Sequence, residues 1–106
     1  MSQTHACVVM TTVSNKEQAE KLARTVLEAR LAACVQIQDV TSYYWWDGKI
    51  NRDGEQLLYL KTTSDKYNAL ESLLIANHSY DTPEILQLPV EAGFEKYLNW
   101  MQKEVG

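Results

Sequence analysis

Apolar and polar positions change their period several times along the chain, and each change marks an element. Ala6-Cys7-Val8-Val9-Met10-Thr11-Thr12-Val13 is an apolar, β-branched run too brief for a helix and closed by a turn signal, which predicts a buried strand. Ser14-Asn15-Lys16-Glu17 then has the S-x-x-E form of a capping box. Behind it Ala19, Leu22, Ala23, Val26, Leu27 and Leu31 recur at the spacing of one buried helical face, so a helix is predicted from Ser14 to near Arg30.

The stretch from Cys34 to Trp46 is rich in Val, Ile, Thr, Tyr and Trp and runs into Asp47-Gly48, a dipeptide whose tolerance of positive φ suits a type I′ hairpin turn. Lys49 to Thr63 is the predicted return strand. Both arms are far longer than the usual five or six residues or so, and two helices cannot cover such a hairpin, so its tip is expected to project. Tyr43, Tyr44, Trp45 and Trp46 gather at that tip. Grouped exposed aromatics mark an interface, with shielding inside the hairpin as the alternative, and the pattern favours self-association. Asp53-Gly54 reads as a bulge or kink in the return arm.

Ser64 or Asp65 is placed to cap a second helix with Tyr67, Leu70, Leu73, Leu74 and Ile75 on its apolar face, and Asn77–Pro83 breaks it. Glu84–Val90 reads as a fourth strand with prolines at both ends, and a last helix after Gly93 carries Phe94, Tyr97, Leu98 and Met101 at helical spacing with Trp100 alongside. The order is β-α-β-β-α-β plus a terminal helix. An offset of 50 residues pairs Thr12 with Thr62, Ser14 with Ser64, Lys16 with Lys66, Ala19 with Ala69 and Val40 with Val90, a weak internal repeat. The expected class is therefore α+β, a ferredoxin-like split β-α-β-β-α-β antiparallel sheet with both helices on one face. The terminal helix, a partner subunit or both must cover the other face.

Composition narrows the function. The 106 residues, 45% hydrophobic and 23% charged, describe one soluble domain over residues 1–106. Ten Lys and Arg against 14 Asp and Glu give a formal charge of −4, which argues against a nucleic-acid partner, because phosphate binding needs a basic stripe. The longest apolar runs, Ala6–Met10 and Leu31–Val35, fall far short of the roughly 20 residues that span a bilayer, so no membrane partner is expected. Met1 to His5 carry no basic or apolar leader pattern. Cys7 and Cys34 sit within those apolar runs as buried reduced thiols rather than a disulfide, and the expected compartment is the cytoplasm.

Candidate chemistry is sparse. His5 is expected to be solvated, whereas His78 lies in the loop Asn77–Glu84, where a scaffold presents binding residues; capping of the second helix is its plainer role. Cys and His are not spaced for a closed zinc site, but His78 with Glu84 offers two ligands for copper or zinc if subunits meet there. No nucleophilic triad, Walker loop or G-x-G-x-x-G is present, so no enzymatic machinery is visible. Lys61 ends the apolar run Leu57–Leu60. It lies either where the strand emerges or in a cleft, paired with Glu55 or Glu84, where the pair would sense anions. Tyr80, Tyr97 and Trp46 are candidate walls for that cleft. The same topology occurs in acylphosphatase and RNA-recognition domains, but Thr12–Lys16 supplies no arginine for a phosphate loop and Gln56–Lys61 lacks the aromatic pattern that stacks bases.

Leu31-Ala32-Ala33-Cys34, Ser42-x-Tyr44-x-Trp46-x-Gly48-Lys49, Glu55-x-x-Leu58-x-Leu60-Lys61-Thr62, Tyr80-x-Thr82-Pro83-Glu84 and Tyr97-x-x-Trp100 together resemble the CutA divalent-cation-tolerance family, over nearly the whole chain from Ala6 to Trp100. The resemblance implies a ferredoxin-like protomer in a PII-like homotrimer locked by its hairpins, cytoplasmic and non-enzymatic, with a role in tolerance to copper and other divalent cations and no required cofactor. It places the metal-ligand positions of copper-binding relatives at Thr11, Asn77 and His78. Only His78 has a ligating side chain there, so the implied binding of Cu²⁺ or Zn²⁺ is weak or the metal role indirect. Trp46, Glu55, Lys61, Tyr80, Glu84, Tyr97 and Trp100 match the family pattern and are implied to line a cleft between subunits. A PII-like sensor that binds a small anionic metabolite or nucleotide through Lys61 is the alternative.

Overall fold

The computed structural model describes residues 4–106; the part of the leader reading that falls on Met1, Ser2 and Gln3 lies outside them. The chain forms β1 (Ala6–Val13), α1 (Lys16–Glu28), β2 (Cys34–Trp46), β3 (Lys49–Thr63), α2 (Tyr67–Ala76), β4 (Ile85–Pro89) and α3 (Glu95–Glu104). The sheet order is β2-β3-β1-β4 with every neighbouring pair antiparallel, which is the expected split arrangement.

Period-two alternation divides the residues of the sheet between its faces. Cys7, Val9 and Val13 of β1 and Leu58 and Leu60 of β3 pack with Ala19, Leu22 and Val26 of α1 and Leu70 and Leu74 of α2 in one core cluster. Full burial of each large side chain there contributes roughly 1.5–3 kcal/mol. The opposite face carries Val8, Met10, Tyr59, Lys61, Leu86 and Leu88, and α3 lies across part of it through the buried Met101. Leu86 and Leu88 stay exposed, so the terminal helix alone does not cover this face.

The hairpin register runs unbroken from Cys34↔Lys61 to Trp46↔Lys49. Asp47 and Gly48 at its end have φ of 54° and 75°, the pair of positive values that a type I′ turn requires. The molecule measures 46 × 28 × 22 Å, and its long axis is about what 15 residues of β3 span at roughly 3.3 Å each. The tip therefore projects, as its length predicts. The expected bulge at Asp53-Gly54 is absent, since Gly54 pairs with Thr41 in the regular ladder.

Two helix starts differ from the sequence reading, while α1 ends close to the expected Arg30. Asn15, not Ser14, caps α1, its Oδ1 accepting from the Gln18 N–H at 2.8 Å while the Ser14 hydroxyl donates to Gln18 Oε1. α1 ends at Glu28 in a Schellman turn: Arg30 takes the left-handed position with φ of 60°, its N–H donates to the Leu27 carbonyl, and the Leu31 N–H donates to the Val26 carbonyl. Ser64 and Asp65 form a 3-10 turn with Lys66 instead of capping α2 directly, and Ile75 at the other end of α2 is 58% exposed, off the buried face. β4 is shorter than predicted, with Glu84 and Val90 outside it and Pro89 tolerated because the strand is an edge.

Thr62 is fully buried opposite Cys7, and its hydroxyl has no hydrogen-bond partner among the described residues. Thr62→Val keeps the shape and removes the unpaired group, so it is expected to stabilise the protein by about 1 kcal/mol, read as a higher denaturation midpoint at fixed protein concentration.

Candidate functional site

The loop after α2 is tied to the sheet by His78. Its Nδ1 accepts the Tyr80 N–H at 3.1 Å, which makes Nε2 the protonated nitrogen, and Nε2–H donates to the Thr12 carbonyl at 2.9 Å with the Thr11 hydroxyl 3.3 Å away. Both ring nitrogens are thus in use. Burial holds the imidazole pKa below its usual value, against the opposing pull of the Thr12 carbonyl and Glu55. Asn77 is also engaged, its amide donating to the Leu73 carbonyl at 2.8 Å. A metal ion at Thr11, Asn77 and His78 would have to displace these bonds, and among the described residues no group of three or more His, Cys, Asp and Glu converges on one point.

The Tyr80 ring centroid lies 5.0 Å from that of His78, and the Tyr80 hydroxyl reaches β3 to donate to Glu55 Oε2 at 2.8 Å. The loop and the projecting arm of the hairpin so border an open groove of about 850 Å³, lined by Trp46, Glu55, Tyr80 and Glu84 together with Thr12, Tyr44, Asp53 and Asp81. The Tyr44 hydroxyl donates to Asp53. Each tyrosine pKa is raised, Tyr80 first by burial and then by Glu55, Tyr44 first by its bond to Asp53. Glu84 is raised by burial and then by the Glu55 carboxylate, the mark of acids crowded without a cation between them. No Lys, Arg or His lines the groove among the described residues.

The seven cleft residues fall into two groups. Lys61 lies six residues beyond Glu55 on the same face of β3, about 20 Å away along the strand. Its ammonium sits 5.6 Å from the centroid of the Tyr97 ring, and Tyr97 lies 5.5 Å from Trp100. Of the two alternatives for Lys61, the pairing with Glu55 or Glu84 is not formed within the protomer; the one salt bridge among the described residues joins Arg30 to Glu104 at 3.0 Å. Within the protomer the groove around Glu55 therefore holds carboxylates with no cation among its described lining residues. Asp53 and Tyr44 escaped the sequence reading as site residues, one taken as part of a bulge and the other as hairpin tip. The signal was present in the two-residue step from Asp53 to Glu55, which sets both carboxylates on one face. Cys7 is sealed in the core, where burial and then Asp65 push its thiol up to about 11, while Cys34 is half-buried and also free.

Residues 7–104 match the family described as CutA1 divalent ion tolerance protein. The chain is similar to the chloroplastic protein CutA 1 of Oryza sativa, with 45% identity over 90% of this chain and 54% of the relative, and to the divalent-cation tolerance protein CutA of Archaeoglobus fulgidus, with 39% identity over 89% and 92%. It spans about half the length of the plant relatives it matches. Among solved structures, CutA1 of Oryza sativa superimposes with a TM-score of 0.94 at 41% identity, covering 98% of this chain and 96% of that one. The periplasmic divalent cation tolerance protein CutA of Archaeoglobus fulgidus does so with 0.93 at 37% identity, covering 95% and 99%.

Protonation of His78 would remove the acceptor that holds the Tyr80 N–H. Because the native imidazole pKa lies below the unfolded value of about 6.5, its contribution to stability is complete above that pH and is lost as pH falls through the native pKa. Glu84 has the opposite sign: its raised pKa favours the native state below about pH 4.3 and loses that contribution as pH rises through the native value. Urea midpoints are expected to fall between pH 7 and pH 5.5 or so, and His78→Gln should flatten that slope. An unchanged slope in the variant would overturn the assignment to His78.

Proposed function

The chain belongs to the CutA1 divalent ion tolerance family, and from that membership we propose that it acts as a non-enzymatic divalent-cation tolerance protein assembled as a homotrimer. The observation that carries the assembly is the hairpin tip. Trp45 is 72% exposed beside Tyr43 and Ile50 on one face of the arm, and Trp46 is 57% exposed on the other, so apolar surface that the protomer leaves uncovered projects on both faces. Leu86 and Leu88 on the half-covered sheet face add to it. Burial of such surfaces against neighbouring copies makes folding stability depend on assembly.

The metal role in this reading is weak or indirect, with copper and zinc as the cations of interest. Its support is the set of bonds already held by Thr11, Asn77 and His78, and the poor match of a hydroxyl and an amide to those metals. Cytoplasmic residence belongs to the same reading, supported by two free cysteines. The alternative of an anion sensor at Lys61 loses its support, because Lys61 stands away from the groove and carboxylates line the groove instead.

Sedimentation at micromolar concentration is expected to give a trimer, and replacing Trp45 and Trp46 together by Ser should shift it toward monomer. A monomeric native protein would overturn the assembly reading. Calorimetric titration of the metal-free protein with Cu²⁺ and Zn²⁺ is expected to show no tight site. A tight stoichiometric site that vanishes in His78→Ala would overturn the weak or indirect metal role.

A further inference from the structure

We propose that in the assembled protein the Lys61 ammonium of each copy enters the acidic groove of its neighbour and pairs there with Glu55 and Glu84, so that neither half of the pair is complete in one chain. The inference rests on the homotrimer reading and adds to it which surfaces meet.

Each half lacks what the other holds. Lys61 stands on an interior strand, between Val8 of β1 and Cys34 of β2, and is partly buried, yet its ammonium meets no carboxylate among the described residues. The Tyr97 ring 5.6 Å away compensates it less fully than a carboxylate would, because a carboxylate adds charge-assisted hydrogen bonds. The groove has the opposite deficit. Glu55 is partly buried and accepts only the Tyr80 hydroxyl, the Glu84 carboxyl is raised by burial and then by the carboxylate of Glu55, and no cation lines the groove among the described residues. Partly buried charges of one sign are relieved by a counter-charge held in place beside them.

The two halves cannot meet within one chain, because six residues of extended strand hold Lys61 about 20 Å from Glu55. Both lie on the sheet face that the protomer leaves part-covered, where Leu86 and Leu88 are exposed and Trp46 and Trp100 add aromatic surface beside the groove and beside Lys61. A second copy is the occupant that satisfies charge and apolar surface together. Two different surfaces of identical chains that meet head to tail generate a ring when the rotation closes, and each copy then gives one lysine and receives one. The copy that covers the groove so brings the cation the groove lacks, and the aromatic rims of the two halves exclude water from the pair. Such a pair fixes the register of the interface, since any other docking leaves Glu55, Glu84 and Lys61 uncompensated under apolar cover.

Zero-length carbodiimide coupling of the full assembled chain tests the proposal. The expected product is covalently linked chains on denaturing electrophoresis, joined by an amide between Lys61 Nζ and the side-chain carboxyl of Glu55 or Glu84, as read by peptide mass spectrometry. Charge reversal supplies a second readout. Lys61→Glu and Glu84→Lys, the latter leaving the Tyr80 bond to Glu55 in place, are each expected to weaken assembly about tenfold in sedimentation, and the two combined in one chain should recover most of that loss. Circular dichroism of each variant separates lost assembly from lost fold. A trimer with neither the Lys61 amide nor recovery in the combined variant would overturn the proposal and leave the trimer standing. A dimer that gives the amide would overturn the trimer and support the pairing, and a monomer would overturn both.

Discussion

A slip of one residue in the β2–β3 ladder would carry Leu58 and Leu60 out of the core and turn Glu55 and Asp53 toward the helices, because side chains alternate faces with a period of two. That register is the constraint on which the molecule depends. It is set at one end by the positive φ values of Asp47 and Gly48 and at the other by Val35 and Ile37, which pack on the core from the same face as Leu60 and Leu58. Everything between, including the acidic face of the projecting arm, inherits its position from those two ends.

The length of the ladder has two consequences of different kinds. Near the helices it is core, and its stability comes from burial. Beyond them it is a two-stranded ribbon with water on both faces, and such a ribbon is marginal alone. The Trp and Tyr side chains at the tip are the means by which an assembly would cover it. The free edges of β2 and β4 leave the sheet open to neighbours on both sides.

His78 shows how a candidate ligand becomes part of the frame. Its two nitrogens bridge the Thr12 carbonyl and the Tyr80 N–H, and the Tyr80 hydroxyl carries the connection on to Glu55, so that one imidazole links β1, the loop and β3. Burial keeps that imidazole neutral, which the bridge requires. Meanwhile the only cation of the cleft residues rests on Tyr97 at the other end of the same face. The protomer thus holds an acidic groove and a cationic aromatic patch, separate from each other.

The sequence by itself determined the elements, the class and the projecting arm: the bounds of β1, β2 and β3 are those read from their β-branched runs, and Asp47-Gly48 makes the turn its residue types allow. These are local properties, fixed by period and by backbone sterics. Near-degenerate local choices were beyond it, such as Asn15 over Ser14 as cap, or a regular ladder over a bulge at Gly54, where the β2 partner supplies the missing half of the pairing. Only the tertiary structure decided the site. Residues 25 positions apart, Glu55 and Tyr80, meet because the α2 exit loop returns across β1, while Glu55 and Lys61, close in sequence, are held far apart by an extended strand. Sequence distance says little about through-space distance once a strand is extended and a loop folds back, and the charge environment of each group follows the latter.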